Sequence, residues 1–251
     1  TWEYLPNSNI LWRLLKIISK IGAGFFLKRA KAIIVTNFAE KNYILENYSY
    51  TGTIIKVSNG ISKNQFMQIN QCHTNYAMPC VGYLGNIGLG QKIEFLINAA
   101  EMLPNIKFLI VGDGGGYKDI EQLIKIKNLK NVHLYGRVDW KKIPEIYKET
   151  NILYTQLIED FNYGLPSKLY EYLATGKCIL YGGSGTAKTF LKDFDNCHVI
   201  EPSCSLAIKN KIDEIVDMKL YLKQNKYNQE KIEKNFLREK QTEKFYNFLK
   251  G

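Results

Sequence analysis

The sequence predicts a doubly wound α/β fold, and three observations carry that expectation. Short apolar runs rich in Ile, Val, Leu and Tyr recur along the chain, segments with helical spacing separate them, and glycine-rich turns follow several of the runs. Strands that alternate with helices of about ten residues make βαβ units, hence a parallel sheet covered by helices on both faces. The chain has 251 residues, 45% hydrophobic and 23% charged. That suits one large or two small domains and excludes a disordered or low-complexity chain.

The elements follow in order. Residues 8–29 place Leu11, Leu14, Leu15, Ile18 and Ile21 at helical spacing, with Arg13, Lys16 and Lys20 on another face. This basic amphipathic helix can lie in an anionic membrane interface or pack its apolar face on its own domain, the reading we favour. Gly22 and Gly24 are expected to loosen its second half. A strand at 32–35, a helix at 38–48 behind Thr36-Asn37, and a strand at 53–57 lead to the turn Ser58-Asn59-Gly60. Residues 62–76 show neither period and read as a connection between two domains. Strands are expected at 80–84, 106–111, 132–135, 152–155, 178–181 and 198–201. Helices are expected at 91–102, 117–127, 143–149, 167–175 and 186–192, with one or two charged helices from 207 onward.

Charge is unevenly placed. Residues 1–60 carry +5 and residues 209–251 carry +4 of the net +10. That bias points to an anionic neighbour such as a membrane surface, a nucleic acid or a phosphorylated substrate, or else to solvated lysine-rich ends. Cys72, Cys80, Cys178, Cys197 and Cys204 contain no Cys-x-x-Cys pair, and His73, His133 and His198 form no i, i+4 pair. Neither a disulfide framework, a metal site nor any bound cofactor is signalled, and the free thiols suit a reducing cytoplasm. No signal peptide or membrane-spanning run is present. The first residue, Thr1, suggests a processed chain or a fragment.

In a doubly wound sheet, ligands bind outside the carboxyl ends of the strands, so the loops there hold the candidate site. Gly85-Asn86-Ile87-Gly88-Leu89-Gly90 leads into a helix, either as a phosphate cradle or as an ordinary tight turn. It is neither a P-loop nor a complete dinucleotide fingerprint. Gly112-Asp113-Gly114-Gly115-Gly116 can approach a ligand, or form a turn in which Asp113 caps the next helix. Gly136-Arg137-Val138 offers a cation that pairs with a phosphate or base, or stands exposed. In the segment Tyr163-Gly164-Leu165-Pro166-Ser167-Lys168, Pro166 and Ser167 mark a helix start. Free amides and Lys168 there face an anion, and Glu171 lies one turn on, able to accept two ribose hydroxyls. The alternative is a surface i, i+3 pair.

These segments together resemble the nucleotide-binding half of a GT-B-fold, retaining glycosyltransferase of the glycogen synthase-like family four. Ala30 to Thr36 resembles the end of that family's first domain, and Val57-Ser58-Asn59-Gly60-Ile61 its interdomain turn. Leu165 to Gly176 resembles the branch that makes bacterial surface polysaccharides. The resemblance implies an acceptor-domain remnant at 1–60, a Rossmann-like donor domain at 61–226, and a C-terminal helix at 227–251 returning to the first part. It implies that Gly85, Asn86, Gly88, Gly112 and Asp113 border the donor, that Gly136 to Val138 contact the base, and that Gly164 to Ser167 surround the diphosphate. Glu171 would bind the ribose, while Lys168 and Arg137 act in catalysis by stabilising the leaving diphosphate.

Three departures from the pattern stand out. Tyr163 replaces the earlier of two glutamates spaced eight apart and therefore faces the donor sugar. Asn86 and Gln91 replace Arg and Lys after the first strand, leaving Lys168, Arg137 and Lys92 to meet phosphate charge. Most of the acceptor domain is also missing. The implied reaction transfers a sugar, from a UDP-linked donor, to a polyprenyl-linked or saccharide acceptor, at the cytoplasmic face of the plasma membrane with peripheral contact. No nucleic acid partner is expected. Ile232, Phe236 and Phe245 on the terminal helix are expected to be exposed or paired between two copies. The alternatives are a non-catalytic nucleotide-binding subunit that needs a partner chain, and a nucleotide-sugar epimerase or dehydrogenase.

Overall fold

The computed structural model describes residues 9–72 and 78–250; Thr1 and His73 lie outside them. The chain forms two compact units, one of residues up to 58 together with those from 241 onward, the other of residues 59–240.

The smaller unit opens with helix α1 (Ile10–Arg29), whose N-cap Asn9 accepts the Trp12 N–H at 3.0 Å. Strand β1 (Ala32–Val35), helix α2 (Phe38–Tyr48) and strand β2 (Thr53–Lys56) follow, and the two strands pair in parallel with Ala32 opposite Thr53. Asn37 caps α2 by accepting the Glu40 N–H, while the Glu40 carboxylate accepts the Thr36 N–H and hydroxyl. This is a reciprocal capping arrangement that closes the helix start. Ile33, Val35 and Tyr50 form a small core. Two expectations for α1 fail. It stays helical through Gly22 and Gly24, where Gly24 lets the Tyr48 ring come close, and no residue of it is buried. Its apolar face therefore does not pack on this unit.

In the larger unit the polar stretch read as a connection contains helix α3 (Lys63–Ile69), capped by Ser62 and anchored by the buried Phe66 and Ile69. Strand β3 (Cys80–Leu84), helix α4 (Glu94–Glu101), strand β4 (Lys107–Val111), helix α5 (Tyr117–Ile126) and strand β5 (Val132–Leu134) come next. Helix α6 (Ile143–Glu149), strand β6 (Ile152–Gln156), helix α7 (Lys168–Thr175), strand β7 (Cys178–Gly182), helix α8 (Gly185–Leu191) and strand β8 (Cys197–Ile200) complete the alternation. Helices α9 (Ser205–Asp217) and α10 (Lys226–Asn235) follow, and α11 (Arg238–Lys250) closes the chain, its residues from 241 onward belonging to the smaller unit. α4 starts three residues later than the periodicity suggests, because Lys92 sits at φ 43° and interrupts the helical path.

All six strands β3 to β8 are parallel, in the order β5-β4-β3-β6-β7-β8. Alternate side chains feed two cores. Leu109, Val111, Leu153, Ile179 and Tyr181 point to the layer of α3, α6, α7, α8 and α10. Phe108, Ile110, Tyr154 and Leu180 point to the layer of α4, α5 and α9. Burial on both faces explains why these strands read as continuous apolar runs.

The terminal helix breaks at Phe236, where Ile61 donates to the Phe236 carbonyl and accepts from Arg238 N–H. Ile232 is fully buried, not exposed, and Phe236 packs 5.3 Å from the Tyr170 ring and 5.5 Å from Phe190. The i, i+4 apolar pair covers α7 within this unit.

Candidate functional site

The chain runs from β3 outward to β4 and β5, then crosses to β6, so the connections diverge between β3 and β6. A crevice is expected outside the carboxyl ends there. A cleft of about 460 Å³ is found at that place. Leu84, Gly85 and Asn86 border it after β3, Val111 to Gly114 after β4, and Arg137 and Val138 after β5. Ile143 of α6 and Lys168 at the start of α7 complete the lining.

Three loops are fixed to one another through their backbones. Gly85 N–H donates to Val111 O at 2.9 Å, Ile87 N–H to Asp113 O at 2.9 Å, Gly116 N–H to Ile87 O at 2.9 Å, and Gly112 N–H to Gly136 O at 2.8 Å. Gly112 lies at φ 147°, and a Cβ on it would fall 1.7 Å from the Gly85 carbonyl oxygen. Its identity is thus demanded by the neighbouring loop. Asp113 does not cap the next helix: its Oδ1 accepts the Gly114 N–H at 2.7 Å, and α5 has no side-chain cap.

Two cations reach the cleft. Arg137 has no ion pair or side-chain hydrogen bond among the described residues. Lys168 Nζ lies 2.9 Å from Glu171 Oε2, so the i, i+3 pair forms. It is not a surface pair, because Glu171 is only 8% exposed. The same Oε2 accepts a hydrogen bond from Tyr147 OH of α6 at 3.3 Å. Burial first, and the Glu171 charge second, hold the Tyr147 hydroxyl well above its ordinary pKa, so it remains a donor. Two donors thus converge on one carboxylate oxygen and fix the head of Lys168 at the cleft. Ser167 and Lys168 N–H groups have no backbone acceptor among the described residues, as expected at a helix start. Tyr172 OH accepts Leu84 N–H at 2.9 Å and lies 3.2 Å from Tyr154 O, tying α7 to the strand ends.

The structure brings together Gly85, Asn86, Gly112, Asp113, Arg137, Val138 and Lys168 on the cleft. Gly136 stands behind it at φ 65°, its carbonyl taken by Gly112. Gly88 and Lys92 are placed elsewhere: they line a separate cleft of about 370 Å³ beside α4 and α5, and Lys92 pairs with Glu94 at 3.5 Å. Tyr163, Gly164, Leu165, Pro166 and Ser167 do not line the main cleft. Tyr163 is half exposed, Gly164 N–H donates to Phe161 O, and Leu165 packs on the core. Ile143, Tyr147 and Tyr172 escaped the sequence reading. They look like core residues of amphipathic helices, and only their place against Glu171 and the strand ends marks them.

A family profile described as Glycosyl transferases group 1 matches residues 73–234. WcaI of Escherichia coli strain K12, a glycosyl transferase named for colanic acid biosynthesis, is 34% identical over 97 residues, 38% of this chain and 24% of that protein. The sucrose-phosphate synthase of Thermosynechococcus elongatus superposes with a TM-score of 0.80 at 19% identity. That superposition covers 99% of this chain and 64% of the synthase. HepE of Anabaena, solved in complex with UDP-glucose, gives a TM-score of 0.75 at 16% identity over 93% of this chain and 67% of that one. The matched segment therefore spans about a quarter of the length of WcaI, and the superposed chain less than two thirds of that of the synthase.

Proposed function

Because the chain belongs to the group 1 glycosyl transferases, we propose that its cleft binds a nucleotide-sugar, a UDP-sugar in particular, and supports transfer of the sugar to an acceptor hydroxyl. The observation that carries this reading is Lys168, held by Glu171 on the same cleft as Arg137, which has no ion pair among the described residues. When the bond between the anomeric carbon and the diphosphate oxygen breaks, negative charge builds on the leaving group. Two cations and the free amides at the head of α7 stabilise that charge as it develops. Asn86 and Asp113 border the same space. The apolar Val138 and Ile143 give a base a surface to lie on.

UDP is favoured because HepE was solved with UDP-glucose. Retention of configuration and a saccharide or lipid-linked acceptor rest on the motif resemblance, and WcaI, named for colanic acid biosynthesis, supports a polysaccharide product. Tyr163, Gly164 and Ser167 are proposed to meet the donor sugar and diphosphate, and Glu171 the ribose through its Oε1. Family membership sets aside the epimerase and dehydrogenase reading, which the strand order alone would have allowed.

Heat denaturation with and without nucleotides tests the reading. UDP at a hundred times its Kd should stabilise the chain by about 2.7 kcal/mol. If no nucleoside diphosphate raises the melting temperature, the cleft is not a donor site.

A further inference from the structure

We propose that Tyr172 is a positioning residue for the diphosphate: its hydroxyl replaces a hydrogen bond between β3 and β6, parts the two strands, and so sets the gap between the Gly85 loop and Lys168. This role presupposes the donor site proposed above and explains how the chain spaces the groups that meet phosphate.

The seam between the two strands splits early. β3 pairs with β6 only at Val81 opposite Ile152 and Gly82 opposite Leu153, whereas it pairs with β4 through Leu84, and β6 pairs with β7 through Gln156. The crevice opens where this one ladder stops short. Carried two residues further, the same parallel register would bond Leu84 N–H directly to Tyr154 O. Tyr172 OH stands between them: it accepts from Leu84 N–H at 2.9 Å and faces Tyr154 O at 3.2 Å and Leu84 O at 3.3 Å, to which it donates. Strands joined through a side-chain hydroxyl lie further apart than strands joined directly.

Tyr172 is fully buried, and burial holds its hydroxyl well above the ordinary pKa against the opposing pull of the Leu84 hydrogen bond. It therefore keeps the proton that it donates. The Tyr147 ring meets the Tyr172 ring edge-on, with 6.3 Å between centres. In α7, Tyr172 lies one turn beyond Lys168 on the same side. The bridge to Leu84 thus fixes how far the ammonium stands from Gly85, the next residue of the cleft wall.

The test compares UDP with uridine, which lacks the diphosphate. In Tyr172→Phe the Kd for UDP should rise about tenfold and that for uridine by less than about twofold, measured by NMR titration. Lys177→Met, which loses a buried hydrogen bond to Thr150 O at the opposite edge of the sheet, is the control for lost stability and should leave both constants unchanged. In wild type, saturating UDP should slow hydrogen exchange at the Leu84 amide about tenfold relative to the Phe108 amide of β4, and uridine should not. That measurement decides alone should Tyr172→Phe fail to fold. Equal losses for UDP and uridine, an unchanged UDP constant, or Leu84 exchange indifferent to UDP would overturn the proposal. Wild type that binds no UDP would overturn the donor site and this role with it.

Discussion

Glu171 shows how one buried side chain can set the position of another at the cleft. Its Oε2 takes Lys168 and Tyr147 together, which fixes the ammonium in position; under the proposed function Oε1 meets the ribose. Tyr147→Phe removes one donor to a charged acceptor while keeping the ring, so a loss of about 1.5–3 kcal/mol in stability is expected by urea denaturation. Under the proposed function, UDP affinity should fall severalfold as well, measured by calorimetry. Lys168→Met should weaken UDP at least tenfold and leave uridine almost unchanged, because only the diphosphate meets the ammonium. Equal losses for both ligands would show that Lys168 maintains the cleft instead of reading phosphate. Lys168 and Glu171 were legible because the Pro166-Ser167 start puts them one turn apart. Tyr147 was not, since nothing in linear order links α6 to α7.

At the level of elements, the glycine-rich loops are braced by each other's backbones. Gly112→Ala must move either its own backbone or the Gly85 carbonyl, and a cost of about 3 kcal/mol or more is expected, read by chemical denaturation. Gly115→Ala is its control, since a Cβ there meets nothing within 4 Å. The sequence showed these segments as turns at strand ends. It could not show whether ligand or protein imposed the glycines, and at Gly112 the protein does. Helices α3 and α10 illustrate a related limit. α3 has too few apolar positions to show a period and forms because Phe66 and Ile69 find the core, while the break at Phe236 comes from a bridge to Ile61, distant in sequence.

Across the whole molecule, the two-sided burial of the sheet shifts ionisable groups. Lys177 is 2% exposed, donates to Thr150 O at 2.7 Å, and burial lowers its pKa to about 8 from the ordinary 10.5. Between those values the unfolded chain binds more protons, so this group makes stability rise with pH from about 8 to 10.5, by up to about 1.4 kcal/mol per pH unit. Cys80, pushed up to about 12 by burial, acts in the opposite direction above its ordinary 9.0. Wild type is therefore compared with Lys177→Met at each pH. The stability difference should grow in favour of wild type from pH 8 upward, and a pH-independent difference would show that Lys177 titrates normally.

Local order along the chain was enough to determine the alternation of strands and helices, the parallel sheet, and the loops at its carboxyl edge, because hydrophobic period and turn chemistry act over a few residues. Which of those loops share a cleft was decided only by the tertiary structure. The strand order brings the ends of β3, β4 and β5 beside the head of α7, while Gly88 and Lys92 line a separate cleft beside α4 and α5. Those outcomes depend on contacts between residues tens of positions apart, which no local period encodes.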